Sequence, residues 1–202
     1  MKYLVYMVGK VVDLFDRTRI YYNRVKTNKE LQALGEGSVV KYPNHIGHGD
    51  LVSIGANTVI LEYSRIQVFP ELTNVQGSIT IGNHCYFGYR NCLLAGADIV
   101  IGDNNVFAND FCIVTYNHGT DPESEIPYMD QKLDKAAPVT IGNGNWFGNG
   151  SMVMPGVTVG DKCVIGAGRI VTKDIPSYSM VAGNPARVIK QYDFDSKEWR
   201  KV

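Results

Sequence analysis

Four histidines and four cysteines are the side chains of this sequence best suited to chemistry near neutral pH. His118, in Val114-Thr115-Tyr116-Asn117-His118-Gly119, stands where a regular pattern gives way to an irregular stretch. An imidazole can take the proton of a hydroxyl as that hydroxyl attacks an electrophile. The stretch it opens, 118–139, holds Asp121, Glu123, Glu125, Asp130 and Asp134, groups able to grip hydroxyls or orient the ring. Tyr116 and Asn117 leave His118 without a neighbouring histidine to compete for the role. His45 and His48 flank Ile46-Gly47 and read as turn residues. The cysteines show neither CxxC spacing nor the density of a disulfide scaffold. Cys85 and Cys163 read as small core fillers, and Cys92 and Cys112 are assigned no chemistry.

The element that must position His118 is a repeat of six. An aliphatic or aromatic residue recurs at Ile141, Phe147, Val153, Val159, Ile165 and Val171, and Gly follows it at 142, 148, 160 and 166. The same step runs through Ile81, Phe87, Leu93 and through Ile101, Phe107, Ile113, with a shorter start at Ile54, Ile60, Ile66. Neither helix spacing nor strand alternation fits a step of six, which is the signature of a parallel β-helix. The first residue of each hexad is expected to point inward and stack on its equivalent one coil away. The Gly or Asn beside it is expected to turn the backbone through conformations that a Cβ penalises. The fifth slot is small, as at Thr58, Ala97, Ser151 and Val157, and Cys85 and Cys163 share it. Three hexads close an 18-residue coil, and five coils begin at Ile54, Ile81, Ile101, Ile141 and Val159. Between Ile101 and Ile141 lie 22 residues beyond one coil. An insertion of that length in a regular solenoid is usually functional, so the site is sought there.

The flanks divide the chain into 1–44, 45–176 with the loop 118–139, and 177–202. Val8, Val11, Val12 and Phe15, with Leu4, make a helix-like stripe in the first segment. Packing on the end of the solenoid is its expected job, with a weak peripheral membrane contact as the alternative. In the last segment Pro176 and Pro185 end the coils, and Ser196 is placed to cap a short helix through Trp199.

Composition bounds the rest. The 202 residues carry 20 basic and 20 acidic side chains, which argues against a nucleic-acid binder working through a broad basic face. No run approaches the length of a membrane-spanning helix. The N-terminus lacks a cleavage-type tail, so a signal peptide is not expected. Free thiols suit a reducing cytoplasm.

Two runs resemble a known family. Val157-Thr158-Val159-Gly160-Asp161-Lys162-Cys163-Val164-Ile165-Gly166-Ala167-Gly168, followed by Val171-Thr172-Lys173-Asp174-Ile175-Pro176, is similar to the hexapeptide-repeat acetyltransferases. Val181-Ala182-Gly183-Asn184-Pro185-Ala186-Arg187-Val188-Ile189 resembles the segment after their last coil. The galactoside, maltose and xenobiotic acetyltransferases, and those that acetylate surface polysaccharides, are the nearest kinds. The resemblance covers about residues 75–190. It implies an all-β fold, a left-handed parallel β-helix, with an N-terminal helical segment, one extruded loop and a short C-terminal tail or helix. It also implies a homotrimer with interfacial sites, acetyl-coenzyme A as donor and a sugar hydroxyl as acceptor, without nucleic acid or metal.

By the same resemblance His118 matches the catalytic histidine, and Asn91 matches an asparagine that orients the acetyl group or acceptor. A turn role for Asn91 stays open. Trp146 matches an aromatic flanking the acceptor or pantetheine channel, which would pass Asn149 and Ala167. The phosphates would meet Thr172, Lys173 and Arg187, with Lys190 a further contact and Arg169 undecided. An amine on an amino sugar is the alternative acceptor. A γ-type carbonic anhydrase, with zinc on His84, His118 and a third ligand near Glu123, uses the same scaffold, but leaves the C-terminal motif without a job. A glycan-binding β-helix without activity leaves His118, Lys173 and Arg187 unexplained.

Overall fold

The computed structural model describes residues 2–71, 76–133 and 136–202, with the side chains of 2–4, 23–24 and 27–28 also outside the description. The expectations placed on Asp134 and on the Leu4 side chain lie outside it. A helix, Lys2–Glu30, leads into short strands arranged as three sheets. The first sheet runs in the order Ala33–Leu34, Val52–Ile54, Ile79–Ile81, Ile99–Ile101, Val139–Ile141, Thr158–Val159. The second runs from Val39–Val40 through Val59–Ile60, Tyr86–Phe87, Val106–Phe107 and Trp146–Phe147 to Val164–Ile165 and Ser179–Ala182. The third carries His45–Gly47, Arg65–Val68, Cys92–Ala95, Cys112–Val114, Met152–Val153 and Ile170–Val171. Every coil-to-coil pairing is parallel. The chain therefore winds through the three sheets in turn as a triangular prism.

The inward stacking expected of the first hexad position is present. Phe87 stacks on Phe107 at 4.4 Å between ring centroids, and Phe107 on Phe147 at 5.0 Å. Ile81, Ile101 and Ile141 are buried in register along the first sheet, as are Leu93, Ile113 and Val153 along the third. Continuous apolar columns of this kind supply the main favourable contribution to folding.

The glycines act differently from expectation. Gly82, Gly102 and Gly142 are not among the positive-φ residues; that conformation falls on the turn residues beyond them, such as His84, Asn104 and Gly144. What these glycines avoid is collision, because a Cβ on each would meet the Asn or Asp side chain of the next coil. Those side chains form a ladder: Asp103 accepts from the Asn83 N–H at 2.7 Å, Asn143 from Asp103 at 2.8 Å, and Asp161 from Asn143 at 2.6 Å. The Gly-Asn and Gly-Asp pairs in the sequence are thus one corner, built by hydrogen bonds that run along the prism.

Four expectations need correction. The coils begin at Ala33 rather than near 45, so a sixth coil precedes the five expected. The helix ends at Glu30, and its side chains from 5 to 22 are exposed. It does not lie over the solenoid; Leu31, 8% exposed, plugs that end instead. The prism is interrupted twice, since Ser53 pairs with Thr80, 27 residues on, while Thr80 pairs with Val100 after only 20. The C-terminus is a β-hairpin, Arg187–Asp193 with Glu198–Lys201, not a helix. Asp193, rather than Ser196, caps its turn, accepting the N–H of Asp195 and of Ser196 at 2.9 Å each.

Candidate functional site

Both interruptions leave the prism where the third sheet turns toward the first. One follows Arg65–Val68 and the other follows Cys112–Val114. The coil between them turns tightly at Gly96 and Ala97, whose N–H groups donate to the Thr115 hydroxyl at 2.8 and 2.9 Å. Thr115 is fully buried, so the chain is anchored just before the loop departs. Tyr116 then meets Phe69 of the first excursion edge-on, with centroids 5.3 Å apart. His118 follows two residues later and is exposed.

The loop itself is held by one amide. The Gln131 carbonyl oxygen accepts the Asp121 N–H at 3.0 Å, and its NH2 group donates to the carbonyls of Asp121 and Ile126, also at 3.0 Å. Gly119 makes this approach possible, since a Cβ there would stand 2.9 Å from Gln131. The result is a mixed basin of about 580 Å³ that begins at the residue after His118, lined by Gly119, Thr120, Asp121, Ser124, Gln131 and Lys132 together with Ile126 and Leu133. Among the described residues no loop carboxylate is hydrogen-bonded to the imidazole. Asp121 instead accepts the Glu123 N–H at 2.9 Å.

A second concavity lies at another corner, where the second sheet turns toward the third. Trp146, Asn149 and Ala167 line a cleft of about 370 Å³ with Ala108, Gly148 and Gly166. Three residues singled out from sequence thus share one surface. A Cβ on Gly148 would come within 2.6 Å of the Ala167 backbone, so glycine is needed where the two turns stack. Arg169 lays its side chain over Gly166, and its Nε is buried without a hydrogen-bond partner. Thr172 and Lys173 are exposed just after Ile170–Val171, and Arg187 is joined to that end because the Ala186 N–H donates to the Ile170 carbonyl at 2.9 Å. Lys190 stands apart from these, opposite Met180 in the row that runs through Val164 to Trp146.

Asn91 has a different job from the one expected. It is buried; its NH2 donates to the Gly88 carbonyl at 2.9 Å and its oxygen accepts the Phe111 N–H at 2.8 Å. Asn105 and Asn145 span their coils in the same way, accepting the N–H groups of Asn145 at 2.8 Å and Cys163 at 2.7 Å. Asn91 therefore holds coils together rather than facing a reacting group. Cys85 and Cys163 are buried fillers, with their thiols held near carbonyls.

The sequence reading missed a cluster on the outer face of the third sheet. Arg65, Cys92 and Cys112 stand side by side in register, with Tyr116 near all three and Arg65 over the Phe69 ring at 5.9 Å. A hydrogen bond from Cys112 and the charge of Arg65 draw the Cys92 thiol down to about 7, while the Cys112 thiol is pushed up by its neighbour and by burial. Two cysteines in the outward slot of adjacent coils were the available signal. Among the described residues no three His, Cys, Asp or Glu side chains converge as metal ligands.

Comparison with known proteins addresses the repeat directly. The family model of the bacterial transferase hexapeptide, six repeats, matches residues 138–168. Galactoside O-acetyltransferase of Escherichia coli K12 is 35% identical over 122 residues, which is 60% of this chain and 58% of that protein. The chain is similar to the hexapeptide-repeat acetyltransferases. A Saccharomyces cerevisiae protein named for acetyltransfer is 41% identical over 114 residues, 56% of each chain. The chain thus spans under two thirds of the length of these curated relatives. Among solved structures, a maltose O-acetyltransferase from Clostridium difficile 630 matches with a TM-score of 0.55 at 29% identity, covering 83% of this chain and 73% of that one. AntD, an N-acyltransferase from Bacillus cereus in complex with dTDP and 3-hydroxybutyryl-CoA, matches with a TM-score of 0.71 at 18% identity, over 86% of this chain and 90% of that one. That second likeness concerns the fold alone.

Proposed function

We propose that this chain is an acetyl-coenzyme A-dependent O-acetyltransferase acting on a sugar hydroxyl, built on a left-handed β-helix and working as a homotrimer. One observation carries the reading: an exposed imidazole stands next in the chain to a basin with polar and apolar walls, while a separate cleft gathers Trp146, Asn149 and Ala167. The basin suits a hydroxylated acceptor through Asp121, Ser124, Gln131 and backbone groups. The cleft, with small residues and one aromatic, suits a narrow chain such as pantetheine. Thr172, Lys173 and Arg187 supply donors and charge for its phosphates, with Arg169 added at the cleft edge and Lys190 more remote.

His118 takes the proton of the acceptor hydroxyl while the oxygen attacks the thioester carbonyl, and N–H groups of a neighbouring coil stabilise the oxyanion. Its collapse breaks the C–S bond and releases coenzyme A, whose thiolate takes the proton back from His118. Within one chain the third sheet separates His118 from the cleft, because they follow different strands of the coil. A second copy that brings its loop corner to the first copy's cleft completes the site. That requirement is what a closed threefold ring supplies.

Turnover of acetyl-coenzyme A against a panel of sugars and amino sugars tests the reading. The expected best acceptor is a hydroxyl, and His118→Ala lowers its turnover by roughly 10²–10⁴-fold with donor binding kept. Turnover of the variant at the parent rate would remove His118 as the base, and an amine as best acceptor would replace the O-transfer assignment.

A further inference from the structure

The N-terminal helix is the part of the molecule that neither the coils nor the proposed site employs. Over residues 5–17 its exposed residues are not scattered, whereas beyond them Arg19, Lys26 and Lys29 fall on the half that holds the apolar residues and Ile20 on the other. At 100° per residue, Val5, Met7, Val8, Val11, Leu14 and Phe15 fall within one half of the circumference, and they are 45 to 71% exposed. Lys10, Asp13, Asp16 and Arg17 fall on the other half. An apolar face half a helix wide exceeds the narrow seam of a two-stranded coiled coil. The charge is equally uneven. Residues 1–30 hold seven basic and three acidic side chains, and 31–202 hold 13 basic and 17 acidic, so the neutral chain divides into a basic helix and an acidic body.

We propose that residues 5–17 of this helix lie in the surface of an anionic lipid bilayer, their apolar face among the acyl chains, while Lys10, Arg17 and the basic residues of the second half of the helix meet the headgroups. Such helices bind through buried apolar area together with attraction to anionic lipid. No described helix is long and apolar enough to cross a membrane, which leaves the interfacial position as the one that buries this face in lipid. Self-association along the same face fits less well. With Val8, Val11 and Phe15 in a parallel seam, the flanking positions would set Arg19 and Lys26 against Leu14 and Tyr21, with no acid opposite either cation. Among the described residues the helix meets the coils at its last turn, where Glu30 and Leu31 pack against Gly49, so its first half can lie on a surface without disturbing the prism.

The test uses the full chain and vesicles of phosphatidylcholine, with or without phosphatidylglycerol, separated by flotation. The chain is expected to float with the anionic vesicles, to be released by salt, and to bind neutral vesicles far more weakly. Lys10→Gln weakens binding about fivefold, the weight of one cation near an anionic surface. Val8→Asp together with Phe15→Asp abolishes it, while thermal unfolding of the coils is unchanged. The proposal is overturned if the chain stays with neither vesicle, or if the double variant floats as well as its parent. It is also overturned if that variant instead breaks the assembly in light scattering, which would make the face a seam between copies. No substrate enters the assay, so its outcome is independent of the acyl-transfer reading.

Discussion

On the outer face of the third sheet, a hydrogen bond from Cys112 and the nearby Arg65 guanidinium favour the Cys92 thiolate, while the Cys112 thiol is raised by the same hydrogen bond and by burial. Alkylation by iodoacetamide should modify Cys92 first, with a rate that rises through a midpoint near pH 7, because the thiolate is the nucleophile. Arg65→Gln should move the midpoint up, and Cys112→Ala should move it further, since the hydrogen bond from Cys112 is the larger cause. The same linkage gives a stability profile. Cys92, depressed from its ordinary value of 9.0, favours the fold above that value and loses this contribution as pH falls through about 7. Cys112, raised from the same ordinary value, disfavours the fold as pH climbs beyond it. Chemical denaturation across this range should show the sign change, and the Cys112→Ala variant should keep only the part of the alkaline limb that comes from Cys85, Cys163 and Tyr116, which burial also raises. In the sequence both cysteines directly precede an inward residue, Leu93 and Ile113, but nothing there puts Arg65 beside them, since Arg65 and Cys92 are separated by the first excursion. Asn91 illustrates the converse. A polar residue in a small inward slot is equally readable as catalytic or as a coil tie, and only the Phe111 N–H one coil away decides it.

Elements succeed or fail by whether their partners are nearby in sequence. The hexads were legible because each inward residue meets its equivalent one coil on, at nearly constant spacing. The first coil carries the same step at Leu34, Val40 and Ile46, with Gly35 and Gly47 after two of them, and was hidden because it follows directly on a long helix. The C-terminal hairpin was hidden by Ser196, a plausible cap whose neighbour Asp193 takes the N–H groups instead. The long loop was legible as an insertion, but its internal brace was not, since Gln131 reaches back ten residues to Asp121. Gln131→Ala removes three hydrogen bonds of about 0.5–1.5 kcal/mol each from an element that contributes little to the core. The unfolding midpoint should therefore hold while limited proteolysis within 119–133 accelerates. On the proposed reading, the acceptor KM should rise with the donor KM unchanged. A matching fall in global stability would show instead that the loop is part of the cooperative unit. The coil columns should behave in the opposite way: Phe107→Ala, which empties the middle of a three-ring stack, should cost about 3–5 kcal/mol in denaturant titration.

At the scale of the whole molecule, the proposed reading has the prism separate the two halves of a reaction and requires another copy to rejoin them. Three chains of 22.4 kDa would scatter as about 67 kDa, but mass alone does not place the site between copies. Subunit mixing does. His118→Ala disables the basin of its own chain, and Ala167→Trp, which fills the cleft beside Trp146, disables donor binding on its own chain. If one chain held a complete site, mixed assemblies of the two variants would be as inactive as either alone. If each site takes the imidazole of one copy and the cleft of the next, random reassembly in equal amounts leaves about a quarter of the interfaces with both intact halves. Unfolding and refolding the two variants together should therefore restore roughly a quarter of the parent turnover, whereas mixing them without dissociation should restore none. Activity that stays at the level of the separate variants after joint refolding would put base and donor on one chain and remove the interfacial site. The coils themselves refold in either case, because neither substitution touches the stacked columns that hold them.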